Sequence, residues 1–171
     1  LDRARRVYPN GLWWIKDRVN AAGHKLVDSV NGTTAALVQT ATDTAYTEQA
    51  YTATAGDCVA WCWNAEDTRG GFSITDGTHG LGVVPAMVID RDLNVWHQSL
   101  PAGQGLRLWS GGTPTSQTWT VNDTTVTGPG GGSYYVWSEI PGYSAFGTYE
   151  GNNNADGPFI YTGFKPAFIL F

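Results

Sequence analysis

The chain has 171 residues, enough for one medium domain or two small packed units with a real core. Only 15% of its residues are charged and its formal net charge is −5, which argues against a nucleic-acid partner, because such binding depends on clustered Lys and Arg. No apolar run approaches the roughly 20 residues of a membrane helix, so we expect no membrane insertion.

Strand-type residues bounded by Gly, Pro, Asn or Asp recur along the whole chain, whereas the most helix-compatible stretch, residues 34–39, is too short for a stable helix. The predicted strands are residues 12–16, 25–30, 58–63, 86–90, 93–98, 106–109, 117–121, 133–140, 158–162 and 167–171. Short strands between turn signals predict an all-β fold, an antiparallel β-sandwich or jelly roll.

The predicted strand at 58–63 carries both cysteines of the chain. Cys58 and Cys62 are four residues apart, which on a strand is roughly 13 Å and exceeds the limit of about 7 Å for a disulfide. We therefore predict two free thiols. Alternation places the cysteines and Ala60 on one face and Trp61 and Trp63 on the other, and two apolar faces are typical of a buried strand.

One pattern of landmarks occurs more than once in the chain. The matching pairs of segments are 71–73 with 142–144, 82–89 with 163–170, 59–61 with 135–137, and, more loosely, 14–18 with 88–91. These pairs predict tandem related units at 1–70 and 71–141, with 142–171 as the start of a third unit or as closing strands. Because the chain ends on the third occurrence of an apolar strand, we expect it to be a fragment of a longer polypeptide.

Several of these segments resemble the repeat-containing virion structural proteins of tailed bacteriophages, a group that includes tail-fibre proteins. The segments that carry the resemblance are residues 11–18, 24–32, 59–63, 142–152 and 156–170. The resemblance implies concanavalin A-like, lectin-like β-sandwich units in a phage particle, and it implies no catalytic residue. The second unit keeps the Trp-His-x-Ser-Leu segment at residues 96–100, but the Gly- and Thr-rich region that follows departs from the pattern.

The resemblance implies a fibre segment on the virion surface with a role in host attachment. Its expected partners are other virion subunits and a host-surface glycan. The subunits are expected to form a homo-oligomer, and phage fibres in general suggest a trimer. A capsid-decorating or head-fibre protein is the first alternative, and a glycan-degrading enzyme on the same fold is the second.

No constellation in the sequence indicates an enzyme or a cofactor. His97 and Ser99 share a strand face, but the Gly-x-Ser-x-Gly motif of a nucleophile elbow is absent. Glycoside hydrolysis needs two carboxylates about 5 to 10 Å apart, which any chain with 15 acidic residues could supply. We predict no catalytic residue and no cofactor.

Aromatic residues are abundant, with eight Trp and eight Tyr, and rings that stack on sugar faces are common in glycan recognition. Trp96, Trp109 and Trp119 lie beside Gly-, Ser- and Thr-rich loops, which makes them candidates for a ligand or subunit surface. Trp13 joins them, because Trp13 and Trp14 point to opposite faces of a strand and at least one is expected to be partly exposed or at an interface.

Oxygen-bearing side chains near residue 154 form a weak candidate Ca²⁺ site. Asn152, Asn154 and Asp156 could supply oxygen ligands, but their spacing matches no EF-hand loop. Turn chemistry explains the same residues equally well, since Asn and Asp favour turns.

Overall fold

The computed structural model describes residues 10–19, 23–31, 35–39, 46–50, 57–66, 68–108 and 112–171. The strands among these residues are all antiparallel, and their only helical segment is the three-residue 3-10 turn Thr68–Gly70. The prediction of an all-β, antiparallel fold is confirmed. None of the described segments is a helix of the length and apolarity that crossing a bilayer requires.

Five strands form the first sheet, which we call sheet A: β1 (Gly11–Asp17), β2 (Lys25–Asp28), β3 (Ala35–Gln39), β4 (Tyr46–Ala50) and β5 (Cys58–Asn64). The first four are joined in sequence as antiparallel neighbours. The fifth returns to the free side of β1, so the spatial order is β4-β3-β2-β1-β5. Such a return is the feature that defines a Greek key.

The remaining strands are β6 (Phe72–Thr75), β7 (Met87–Asp90), β8 (Asn94–His97), β9 (Gln104–Arg107), β10 (Thr115–Ser116), β11 (Thr120–Val121), β12 (Val126–Thr127) and β13 (Tyr134–Trp137). Six of them form sheet B in the order β10-β9-β8-β7-β13-β6, and β11 pairs with β12 in a separate ribbon. Here β7 to β10 follow one another and β13 returns beside β7, as β5 does beside β1. Sheet B additionally carries β6 on the far side of β13.

The two sheets face each other across one apolar core, as a β-sandwich requires. Sheet A contributes Leu12, Trp14 and Leu26, and sheet B contributes residues that include Phe72 and Tyr135. The opposite face of sheet A carries a second buried cluster, and the opposite face of sheet B carries a third, to which the β11–β12 ribbon contributes. Three apolar clusters on alternating faces explain why these strands read as apolar on both sides.

Strand alternation agrees with the prediction in β1 and β5. Trp14, Trp61 and Trp63 contact the inter-sheet core, whereas Trp13 and the two cysteines belong to the second cluster. Both cysteines are free thiols, as predicted. The register aligns Trp14 with Trp61 and Trp13 with Cys62 across the β1–β5 pair.

The C-terminal arm, residues 141–171, contains no strand, so the strands predicted at 158–162 and 167–171 are wrong. A strand needs a hydrogen-bonded neighbour, and the arm has only one isolated bridge, at its start, between Ile140 and Ser144. Pro85 is buried just before β7, whereas its sequence counterpart Pro166 is half-buried and leads into unpaired chain. The eight other predicted strands overlap observed ones. Five observed strands were missed, namely β3, β4, β6, β10 and β12, and β6 lies at a place that was read as a turn.

A glycine at the start of β6 is predicted to be essential for stability. Gly71 has φ of +70°, and an added Cβ would lie 2.8 Å from the Ser138 carbonyl oxygen. Gly82 has φ of +69° with nothing within 4 Å of an added Cβ, which makes it a matched control. We expect Gly82→Ala to lower the free energy of unfolding by about 1 kcal/mol through strain alone and Gly71→Ala by clearly more. Urea unfolding of both variants checks this, and equal losses would contradict it.

Candidate interaction surface

Trp96 and Trp119, two of the predicted ligand-contacting rings, lie on the outer face of sheet B. Both are half-buried and pack against the third apolar cluster, whose fully buried members include Val88 and Val136. The structure therefore brings these two rings to one cluster. Their predicted role in glycan binding stays a prediction.

The Trp119 ring covers two glycines, and this position explains much of its burial. An added Cβ at Gly128 would collide with the ring of Trp119, and one at Gly105 would collide with the Gln117 side chain. Trp119 Nε1 donates to Gln117 Oε1 at 2.9 Å, which holds the indole in place. Part of the Trp119 indole thus packs against the protein itself, and only the exposed part of the ring could contact a ligand.

The two other ring candidates do not join this cluster. Trp13 is 0% exposed in the second cluster, on the outer face of sheet A, so its ring offers no face to a ligand in this structure. Trp14 is buried as well, which contradicts the expectation that one of the pair is partly exposed. Trp109 lies outside the described residues.

The candidate Ca²⁺ residues lie on an exposed part of the C-terminal arm. Asn152 Oδ1 accepts the Asn154 N–H at 3.0 Å, and Asn154 Oδ1 accepts the Asp156 N–H at 3.2 Å. These are side-chain-to-backbone turns of the kind that Asn forms readily. Within the described ranges, no group of three His, Cys, Asp or Glu side chains could hold a metal ion.

A buried polar network joins the two sheets at one end of the sandwich. Asp28, at the end of β2, is fully buried, and its Oδ2 accepts hydrogen bonds from the Tyr135 hydroxyl at 2.7 Å and from Arg91 Nη1 at 3.2 Å. Its Oδ1 accepts the backbone N–H groups of Val30 and Asn31. Burial, together with the Asp28 carboxylate, raises the pKa of Tyr135 well above the usual range of a phenol. The network therefore fixes the relative position of sheets A and B.

A second buried aspartate plays a similar local part in sheet B. Asp90 accepts the Asn94 backbone N–H at 2.9 Å and the Gly130 N–H at 2.9 Å, which joins the β7–β8 turn to the glycine-rich loop before β13. Burial raises the pKa of Asp90, and the hydrogen bonds from Asn94 and Gly130 oppose that shift. The Asp90 carboxylate therefore has a structural role, which is to hold the β7–β8 turn and the glycine-rich loop together.

His97 and Ser99 do not form a nucleophile–base pair. The contact between them is the Ser99 backbone N–H, which donates to His97 Nδ1 at 3.2 Å. The His97 ring lies 6.4 Å from the Phe146 ring, and burial lowers the pKa of this imidazole. The contact between His97 and Phe146 holds the C-terminal arm near sheet B, and Ser99 contributes its backbone N–H and not its hydroxyl.

Acidification is predicted to destabilise the protein through His24. Trp14 Nε1 donates to His24 Nδ1 at 3.0 Å, so this nitrogen acts as an acceptor and the imidazole is neutral. Burial, and secondarily the charge of Lys16, lowers the pKa of His24 below 6.5. A lowered pKa means that the unfolded chain binds more protons than the folded chain, so stability is lost as the pH falls from 6.5 through the folded-state pKa.

We expect the urea concentration at the unfolding midpoint to decrease as the pH is lowered from about 7 to about 5. The decrease should be smaller in His24→Gln, because glutamine keeps a hydrogen-bond acceptor but does not titrate. His97→Gln is measured alongside, alone and combined with His24→Gln, because burial lowers the pKa of His97 too and this residue contributes to the pH dependence in the same direction. An unchanged pH dependence in the double variant would refute the assignment.

The exposed aromatic side chains form the best candidate for an interaction surface. Among the residues whose side-chain burial is described, every exposed aromatic side chain lies in the C-terminal arm: Tyr143, Tyr149, Phe159, Tyr161 and Phe171. Phe159 is 90% exposed, Tyr161 84% and Phe171 98%. Large apolar side chains that are exposed in one segment in such number are a usual sign of an interaction site. Sequence reasoning missed this surface, because it assigned Phe159, Tyr161 and Phe171 to the strands predicted at 158–162 and 167–171.

Two phenylalanines attach the arm to the sandwich. Phe146 packs against the inter-sheet core. The Phe168 ring lies 5.3 Å from the rings of Trp61 and Trp63 and 5.9 Å from that of Trp14. Between these anchors the arm follows an irregular path with many exposed residues. The candidate surface is thus held on the domain at both ends.

Comparison with known proteins identifies one family. Residues 68–171 match the model of a domain of unknown function, DUF7483. The matched region includes all of sheet B, the ribbon and the whole C-terminal arm. No curated protein and no solved structure shows significant similarity to the chain.

Proposed function

We propose, from the premise that the chain belongs to the DUF7483 family, that it is a structural protein of a bacteriophage virion, a fibre segment that takes part in attachment to the host surface. The observation that carries the proposal is the C-terminal arm, which presents five exposed aromatic side chains on an antiparallel β-sandwich. Exposed rings serve contacts with sugars or with other protein subunits.

Further support comes from composition and topology. The low charge, the 22 glycines and the antiparallel sheets suit an extended particle protein in which neighbouring units cover each other's edges. Sheets A and B also share the same order of four consecutive strands and a returning fifth strand. We interpret that shared order as two related units, in line with the repeated segments of the sequence and their resemblance to phage virion proteins.

The location on the particle is tested by labelling purified virions with an antibody raised against residues 68–171. Label on the tail fibres supports the proposal. Label on the head would favour the alternative of a capsid-decorating or head-fibre protein. Absence of label, with the epitope accessible in the isolated protein, would refute a virion role.

Host attachment is tested with surface polysaccharide from the host bacterium. We expect binding without new reducing ends, and release of reducing ends would favour a glycan-degrading enzyme on the same fold. Trp96→Ala and Trp119→Ala should weaken binding if these half-buried rings contact the sugar. Val30→Ala, an exposed position on the β2–β3 side of sheet A, is the control.

Assembly is the third part of the proposal. We propose homo-oligomers, with a trimer as the first expectation from the resemblance to phage fibres. Mass photometry of the intact protein measures the subunit number. A monomer at all accessible concentrations would contradict the assembly role.

A further inference from the structure

One strand position at the edge of sheet A is empty in the described part of the chain. Sheet B has the order β10-β9-β8-β7-β13-β6, and sheet A has β4-β3-β2-β1-β5, so each sheet has four consecutive strands and a later strand that pairs with the first of them. β5 therefore corresponds to β13. The side of β13 that faces away from β7 is covered by β6, whereas no described residue pairs with the same side of β5.

The backbone of β5 is ready to pair on that side. Arg18 N–H donates to the Asp57 carbonyl, and Ala65 N–H donates to the Asn10 carbonyl, both at 2.9 Å. Odd-numbered residues of β5 consequently bond to β1, and the N–H and C=O groups of Cys58, Ala60, Cys62 and Asn64 point to the empty side. The strand has no charged residue and no proline, which are the usual protections of an edge.

The C-terminal arm contains a strand-type segment without a partner. Residues 163–170 repeat residues 82–89 in sequence, and the backbone repeats as well, because Gly82 and Gly163 have φ of +69° and +79° and bends follow at equivalent positions. In the first occurrence the chain continues as β7, which pairs with β13 and β8. In the second, residues 168–171 pair with no described strand, and Ile169 is 66% exposed.

The position of Phe168 shows that this segment fits sheet A. Its ring contacts Trp61 and Trp63, on the inner face of β5. Nevertheless, the chain's own arm forms no ladder with β5, so within the part of the chain that the structure describes both the segment and this edge of β5 are unpaired. Residues 147–167 connect Phe168 to the other anchor without a strand, and this length spans up to roughly 70 Å when extended.

We propose that residues 168–171 of one molecule add as a strand to the open edge of β5 in a second copy of this chain. Phe168 of one copy takes the place against Trp61 and Trp63 of the other, and Ile169 to Phe171 continue along β5. Exchange of an identical element between copies is an economical route to association, because it reuses contacts that already fit. The inference rests on the proposed assembly role and deepens it by naming the contact.

The two native thiols of β5 provide the test. With Phe168 on the inner face, residue 169 of the added strand lies on the outer face, where Cys58 and Cys62 lie. Residues opposite each other on paired strands are close enough for a disulfide. We expect mild oxidation of Ile169→Cys to give disulfide-linked dimers, several-fold more than the wild type or Leu170→Cys, whose thiol would face the inner side.

Mixing isotope-labelled and unlabelled Ile169→Cys before oxidation identifies the partner by mass spectrometry of the linked peptides. Mixed-label peptides that join position 169 to Cys58 or Cys62 support the inference. Links within a single chain only, or equal linking of Leu170→Cys, would overturn it. Oligomers by mass photometry without these links would refute the contact and leave the assembly role standing, whereas a monomer without links would refute both.

Discussion

Replacement of Asp28 by alanine is expected to lower the free energy of unfolding by about 3 to 5 kcal/mol. The carboxylate is fully buried and accepts hydrogen bonds from Tyr135, Arg91 and the turn after β2. Its loss removes a buried acceptor from the Tyr135 hydroxyl and a buried negative charge from the Arg91 guanidinium. Because these groups belong to different sheets, the contact between the sheets weakens as well.

Urea unfolding followed by far-UV circular dichroism measures this loss. Asp57→Ala is the matched control. The Asp57 carboxylate forms an ion pair with Arg18 at 3.4 Å, and the side chains of Arg18 and Asp57 are 61% and 65% exposed. Exposed pairs contribute about 0 to 1 kcal/mol, so the control should change little. Similar losses in both variants would mean that the buried network does not hold the sheets together.

Trp14→Ala is the second change with a large expected effect, a loss of about 3 to 5 kcal/mol, as for other buried Trp or Phe truncations. The side chain is 2% exposed and lies among Trp63, Phe168 and His24, with ring centroids 5.9 to 6.4 Å away. Truncation leaves a cavity in the core between the sheets and removes the indole N–H that His24 accepts. It also removes part of the surface that holds Phe168.

Phe171→Ala is the comparison, because this ring is almost fully exposed and its truncation should change stability by no more than about 0.5 kcal/mol. Urea unfolding and mass photometry together separate the two residues. Trp14→Ala should lose stability, whereas Phe171→Ala should stay folded and associate less if the arm pairs between copies. A stable Trp14→Ala would contradict the central role of this ring.

Local pattern alone predicted much of the sandwich. In β1 and β5, alternation identified which rings share a face, and spacing identified Cys58 and Cys62 as free thiols. These results follow from the two-residue period of a strand, which each short segment carries in its own sequence. The all-β, antiparallel fold follows from the same kind of local information.

Only the tertiary structure decided which strand-type segments find a partner. Residues 87–89 and 168–170 are apolar strand-type residues that follow the same Gly-x-x-Pro-Ala pattern, yet the first are paired on both sides and the second are unpaired in the described chain. A ladder depends on groups supplied by a distant strand, which the segment itself does not encode. The same reason explains why β6 was read as a turn, why Trp13 is buried and why the exposed arm was missed: burial and pairing are properties of neighbours far away in the sequence.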